Sequence, residues 1–137
     1  MVVGDGGFQM TMAELATVVQ ENLKIHIAII NNGYLGMVRQ WQEFFYERNY
    51  QATPLLNPDF ALLAQAFGIR SMTVTRRSDV RDAVETAKSH PGSVAIDFRV
   101  EQEDSVFPMV PAGAPLHAMI RRPDAAPSPL VETALDP

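Results

Sequence analysis

The chain contains no cysteine, which removes disulfide staples, thiolate metal sites and a cysteine nucleophile from consideration and suits a reducing compartment. Basic residues never run more than two together and are outnumbered, eleven Lys and Arg against sixteen Asp and Glu for a net charge of -5. The electrostatic footprint of a nucleic-acid binder is therefore missing. No apolar run approaches the roughly 18 residues of a membrane span. The opening Met1-Val-Val-Gly-Asp5 has neither the basic flank nor the apolar core of an export signal. These absences predict a cytoplasmic protein with no membrane or nucleic-acid partner.

What is present is one domain's worth of chain, 137 residues with 47% hydrophobic content, enough to bury a core. Seven of the ten prolines fall between Pro108 and Pro137, so the composition shifts near residue 105. The globular part is expected to occupy 1–105, with a docking segment at 106–120 and a proline- and alanine-rich tail at 121–137.

Three helices can be read with mechanisms attached. Thr11-Met-Ala-Glu14 has the form of a capping box, followed by Met12, Leu15, Ala16 and Val19 as an inward stripe. Asn57-Pro58-Asp59 offers a cap, a proline at the first helical position and a first-turn carboxylate, before Phe60, Leu63, Ala64 and Phe67 repeat the helical spacing up to Gly68. Ser78-Asp79 opens a third, with Val80, Ala83, Val84 and Ala87 inward, closed before His90-Pro-Gly. A weaker candidate runs from Gly36 to Glu47. Between them lie the β-branched runs Ile25–Ile30, Met72–Val74 and Val94–Phe98, with Val2-Val3 as a stub. The first of these is almost wholly apolar, as a strand covered on both faces should be. Alternating strands and helices predict an α/β fold, a three-layer parallel sheet with helices on both faces, whose ligands bind at the carboxyl ends of the strands.

Two of those ends carry unusual residues, Gly4-Asp5-Gly6-Gly7 and Asn31-Asn32-Gly33. Glycines let backbone N–H groups approach an anion, and a helix starting near Thr11 would aim its positive end there. A phosphate would also meet Asp5, which makes sense if a hard cation sits between them. Asp5 and Asn32 offer an anionic and a neutral oxygen, and phosphate, water and a loop carbonyl could complete an octahedron around Mg²⁺. Taken singly, the first motif is equally a tight turn and the second a loop pair; together they favour a diphosphate–Mg²⁺ site. Met37, Val38, Trp41, Phe44 and Phe45 share one helix face, which reads as a core stripe. The histidines at 26, 90 and 117 are too scattered for a metal cluster.

Gly4-Asp5-Gly6, 24 intervening residues and Asn31-Asn32 resemble the thiamine diphosphate motif. The flanks Gly7-Phe-Gln-Met-Thr11, Gly36-Met-Val-Arg-Gln-Trp-Gln42, Asn57-Pro-Asp-Phe60 and Phe107-Pro-Met-Val110 narrow the likeness to the C-terminal domain of the acetolactate synthase (acetohydroxyacid synthase) large subunit, over roughly residues 2–120. The resemblance implies that Asp5, Asn32 and the carbonyl of Tyr34 hold Mg²⁺, and that Gly4, Asp5, Gly6 and Gly7 surround the diphosphate. Asn32, Tyr34, Leu35, Gly36, Met37 and Val38 would line the cofactor, with Met37 and Trp41 shaping the pocket for the second 2-oxo acid. It further implies condensation of two pyruvates, or of pyruvate with 2-oxobutyrate, with loss of CO₂, in branched-chain amino-acid synthesis.

FAD would bind mainly outside this segment, and the pyrimidine-activating glutamate would come from an N-terminal domain of a partner subunit. By the same likeness the catalytic subunit is a homodimer or tetramer, with a regulatory small subunit as a further partner. The segment itself would be an N-terminally truncated domain, inactive alone, with an exposed sheet edge and apolar faces that self-associate or are covered by further chain. Alternatives are another thiamine diphosphate-dependent carboligase or decarboxylase, or a non-catalytic binding module.

Overall fold

The structure, a computed structural model, describes residues 1–123; most of the expected tail, 124–137, lies outside the described residues. Four strands, β1 (Val2–Gly4), β2 (His26–Asn31), β3 (Arg70–Val74) and β4 (Val94–Arg99), form one wholly parallel sheet in the order β1-β2-β4-β3. The helices are α1 (Asp5–Thr11), α2 (Leu15–Gln20), α3 (Gly36–Phe45), α4 (Phe60–Ala66) and α5 (Val80–Ser89). Parallel neighbours require crossovers, and the helices that supply them cover both faces of the sheet. The chain divides into two compact units, Met1–Ser105 and Val106–Pro137; in the second, Met109 and Ile120 form an isolated antiparallel bridge. Among the described residues no helix is long and apolar enough to cross a membrane.

Side-chain alternation along β2 and β4 decides which residues reach which layer. Ile27 and Ile29 of β2 and Ala95 of β4 meet Phe8, Leu15, Phe60 and Ala64 from α1, α2 and α4. Val94 and Ile96 of β4 point the other way, to Ala83 and Ala87 of α5 and Val74 of β3. The β1–β2 half of that second face has less cover. Val2 is 75% exposed, and a cavity of about 510 Å³ is lined by Val2, His26, Ala28, Val84, Ile96 and Phe98. Strand β2 is thus covered fully on one face only, although its sequence reads as doubly buried, and β1 is an edge strand.

Four local expectations change. The Thr11 capping box does not form: the helix begins earlier, at Asp5, and the Thr11 hydroxyl instead donates back to the Gly7 carbonyl at 3.2 Å. A 3₁₀ turn at Met12–Glu14 then shifts the inward stripe to Met12, Leu15 and Val18, leaving Ala16 and Val19 exposed. At α4 the cap is Asp59, whose carboxylate accepts from the Leu62 N–H at 2.9 Å, so Asn57 is released for another task and Pro58 precedes the helix. On α5 only Ala83 and Ala87 are buried; Val80 and Val84 are exposed.

The largest reversal is α3. Met37, Val38, Trp41 and Phe45 are exposed, while Arg39 and Gln40 are buried. Arg39 reaches the Gln102 carbonyl at 3.2 Å and stacks over the rings of Tyr34 and Tyr50. Its charge is further met by Glu43 at 3.7 Å and Glu103 at 3.6 Å. A buried guanidinium so paired anchors the polar face inward, and the apolar stripe is turned out.

Candidate functional site

The carboxyl ends of β1, β2 and β4 open on a pocket of about 520 Å³ lined by Gly4, Asp5, Gly6, Gly7, Ile30, Asn32, Tyr34, Leu35, Gly36, Val100, Glu101 and Asp104. Of the residues singled out from sequence, all of Gly4, Asp5, Gly6, Gly7, Asn32, Tyr34, Leu35 and Gly36 line it. Met37, Val38 and Trp41 do not; they lie exposed on α3, which begins at the pocket with Gly36. Glu101 and Asp104, which sequence motifs did not indicate, bring two more carboxylates to its wall.

Asp5 sits at the junction of β1 and α1 and is only 2% exposed. Its Oδ2 accepts from the Gly33 N–H at 2.9 Å and from Asn57 Nδ2 at 2.7 Å. Gly33 reaches it because its φ of +73° turns the chain sharply after β2, a conformation glycine adopts without strain. Asn32 folds on itself, its Oδ1 accepting from the Tyr34 N–H at 3.1 Å, an Asx turn that leaves the amide oxygen a second lone pair. At Gly6 a Cβ would stand 2.7 Å from Leu35 Cδ2 and 3.1 Å from Leu55 Cδ1, so the ends of those two leucine side chains would have to shift. Gly4 differs, since a Cβ would meet nothing within 4 Å.

Behind Asp5 lies a buried polar array that motif reading did not find. Asn57 Nδ2 also donates to Asn31 Oδ1 at 3.0 Å, and Asn31 Nδ2 donates to Asp97 Oδ1 at 3.0 Å. Gln9 Nε2 closes the far end on Asn57 Oδ1. A signal was available: on β2 and β4, Asn31 and Asp97 continue the alternation of Ile27, Ile29 and Ala95, positions where the core face asks for apolar residues. Asp97 is 1% exposed. Burial pushes its carboxyl above the ordinary 3.8, opposed by the Asn31 hydrogen bond and the Arg99 charge and reinforced by Asp59. Arg99 stands 3.0 Å from Oδ2 as an ion pair, without hydrogen-bond geometry.

A raised carboxyl means that the folded state holds the proton more tightly, so this contribution is full below 3.8 and is lost as pH rises through the higher folded value. The isosteric Asp97→Asn removes it. The stability of the wild type relative to Asp97→Asn should therefore fall from about pH 4 upward, read as the difference between their urea midpoints; a difference independent of pH would show that Asp97 titrates normally.

Among the described residues no three His, Asp or Glu side chains converge as a metal cluster. What the pocket offers a cation is one buried carboxylate and neutral amide and main-chain oxygens, a donor set for a hard ion that keeps water or takes phosphate oxygens. The first-turn N–H groups of α1 have no partner within their own helix, a general property of helix starts that suits an anion.

Comparison with known proteins agrees with this architecture. The chain is 43% identical over 114 residues to an acetolactate synthase of Arthrospira platensis, covering 82% of this chain and 20% of that protein. It is 46% identical over 117 residues to the acetolactate synthase large subunit of Corynebacterium glutamicum, covering 81% and 19%. Against the isozyme 2 large subunit of Escherichia coli (strain K12) the identity is 38% over 122 residues, covering 88% and 22%. The chain thus spans about one fifth of the length of these relatives. A solved thiamine diphosphate-dependent 4-hydroxybenzoylformate decarboxylase of Rhodococcus jostii RHA1 shares the fold, with a TM-score of 0.69 at 24% identity over 76% of this chain and 20% of that one. Residues 1–98 match the C-terminal TPP-binding domain of thiamine pyrophosphate enzymes, and the chain belongs to that family.

Proposed function

We propose that this chain is the diphosphate- and Mg²⁺-binding portion of an acetolactate synthase large subunit. The observation that carries the reading is Asp5, buried at the start of α1, held by the Gly33 amide and sharing one pocket with Asn32, Tyr34 and four glycines. In this reading Asp5, the Asn32 amide oxygen and the Tyr34 carbonyl ligate Mg²⁺. The backbone of Gly4, Gly6 and Gly7 faces the diphosphate, and the open space beside Gly4 is where a side chain would displace it. Leu35 and Gly36 continue along the cofactor. Met37, Val38 and Trp41, exposed here, gain a purpose as the wall that meets the pyrimidine, the second 2-oxo acid and the parts of the enzyme outside this chain.

When bound, thiamine diphosphate supplies a carbon nucleophile and electron sink that the protein itself lacks. The chain's own part is to anchor the diphosphate and orient the cofactor. The whole enzyme would join two pyruvates, or pyruvate and 2-oxobutyrate, with loss of CO₂. FAD, the pyrimidine-activating glutamate, the companion catalytic subunit and a regulatory small subunit belong to the same proposal and lie beyond these residues. The purified 137-residue chain is accordingly expected to form no acetolactate.

The acidic wall sharpens the cation requirement. Asp5, Glu101 and Asp104 all line the pocket, so a diphosphate entering without a divalent ion meets like charge. Calorimetric titration of thiamine diphosphate into the chain should show binding with Mg²⁺ and none in EDTA. Equal binding in both would sink the metal-bridged reading.

A further inference from the structure

We infer that Asn57 is a positioning residue for the cation site, an amide that fixes Asp5 with one oxygen engaged and the other free for the metal. The inference rests on the reading of Asp5 as a cation ligand and adds residues that the motif does not contain.

Hydrogen-bond direction fixes how these amides are turned. Asp97, as a carboxylate, can only accept, so Asn31 must turn its Nδ2 toward it. That leaves the Asn31 Oδ1 facing Asn57, which must in turn present its Nδ2. The same Nδ2 group, with two hydrogens to give, also donates to Asp5 Oδ2 at 2.7 Å. Gln9 fixes the opposite choice at the other side of the amide, donating to Asn57 Oδ1. Asn57 is therefore pinned by a donor on its oxygen and an acceptor on its nitrogen, and cannot flip without breaking both. Asp5 always meets a donor.

The consequence falls on one oxygen. Oδ2 already receives Gly33 N–H and Asn57 Nδ2. Among the described residues Oδ1 receives no hydrogen bond, which makes it the oxygen a cation would take. The pieces come from α1, from the ends of β2 and β4, and from the loop before α4, so the ligand's orientation is tied to the packing of the sheet rather than to the flexibility of one turn. Asn57 is free to do this because Asp59 caps α4 in its place. Outer partners of this kind typically change metal affinity about 10–100-fold.

The test uses the 137-residue chain with thiamine diphosphate, and Mn²⁺ as a paramagnetic probe counted by electron paramagnetic resonance. Asn57→Ala should raise the Mn²⁺ dissociation constant about 10–100-fold, with Asp5 itself intact. In the ¹⁵N-labelled wild type the side-chain amide resonances of Asn57 should shift when Mg²⁺ is added, a response that an amide with a merely structural role would not give. If Asn57→Ala does not fold, Gln9→Ala, which removes only the restraint on the Asn57 oxygen, replaces it and should weaken Mn²⁺ in the same direction. Mn²⁺ affinity within about twofold of wild type in the folded variant, far short of the outer-partner range, would overturn the inference while leaving the site reading standing. A wild-type chain that binds no Mn²⁺ would instead overturn the site reading, and the inference with it.

Discussion

Asp5→Asn should leave the domain folded yet lower its Mg²⁺-dependent affinity for thiamine diphosphate by more than about 100-fold, beyond the range expected for residues that only orient a ligand. The substitution keeps the shape of the side chain and an oxygen where Oδ2 accepts from Gly33 and Asn57, so the hydrogen bonds that tie α1 to the β2 loop survive. What changes is the other end. An amide nitrogen replaces the anionic oxygen offered to the cation, and the site loses the buried charge of Asp5. In EDTA the variant should melt no lower than the wild type, because a buried carboxylate without a counter-ion is a cost to the folded state. Calorimetry with and without Mg²⁺, beside thermal melting in EDTA, checks both halves. Unchanged binding would remove Asp5 from the metal site and with it the proposed function.

Phe60→Ala should cost about 3–5 kcal/mol of folding stability, a large share of the roughly 5–15 kcal/mol typical of a domain. Phe60 is fully buried, opens α4 and packs among Ile27, Ile29, Ile69 and Ala95. Its ring meets Phe8 edge-on at 5.3 Å and 80°, which locks α4 against α1, the helix that begins at Asp5. Truncation leaves a cavity under both helices. A fall in the urea midpoint with unchanged slope would report it, and binding should weaken in parallel because Asp5 and Asn57 flank this contact. A loss below about 1 kcal/mol, far under the range for buried aromatics, would mean that the core is not built around this pair.

Much of the architecture was legible because period and punctuation agree. Ile25–Ile30 and Val94–Phe98 announce parallel strands, and they occur as β2 and β4 within a residue or so at each end. The spacing of Phe60, Leu63, Ala64 and Phe67, stopped by Gly68 at a φ of +79°, gives α4 and its buried face. The site's first glimpse, Gly4-Asp5-Gly6 and Asn31-Asn32, was legible for a different reason: glycines and short polar side chains at strand ends are wasteful for a core and useful for an anion and its cation.

Other features depended on residues far apart in the chain. The amphipathic stripe of α3 has the right period for a core, and its outward placement follows from where Arg39 finds partners beyond its own helix: the Gln102 carbonyl, the rings of Tyr34 and Tyr50, and Glu103. No local pattern encodes that. Asn57 reads locally as a helix cap, and only the approach of Asp5 and Asn31, 52 and 26 residues away, gives it another role.

The strands, most of the linking helices and the chemical character of the strand ends are local, since periodicity, turn residues and donor types are properties of neighbours along the chain. Which face of α3 is buried, which residue caps α4, and how Asp97, Asn31 and Asn57 line up behind Asp5 follow from contacts made in the folded chain. Those outcomes are settled by buried polar groups finding partners across the sheet, where leaving one unsatisfied costs about 1–3 kcal/mol, more than a local preference can supply.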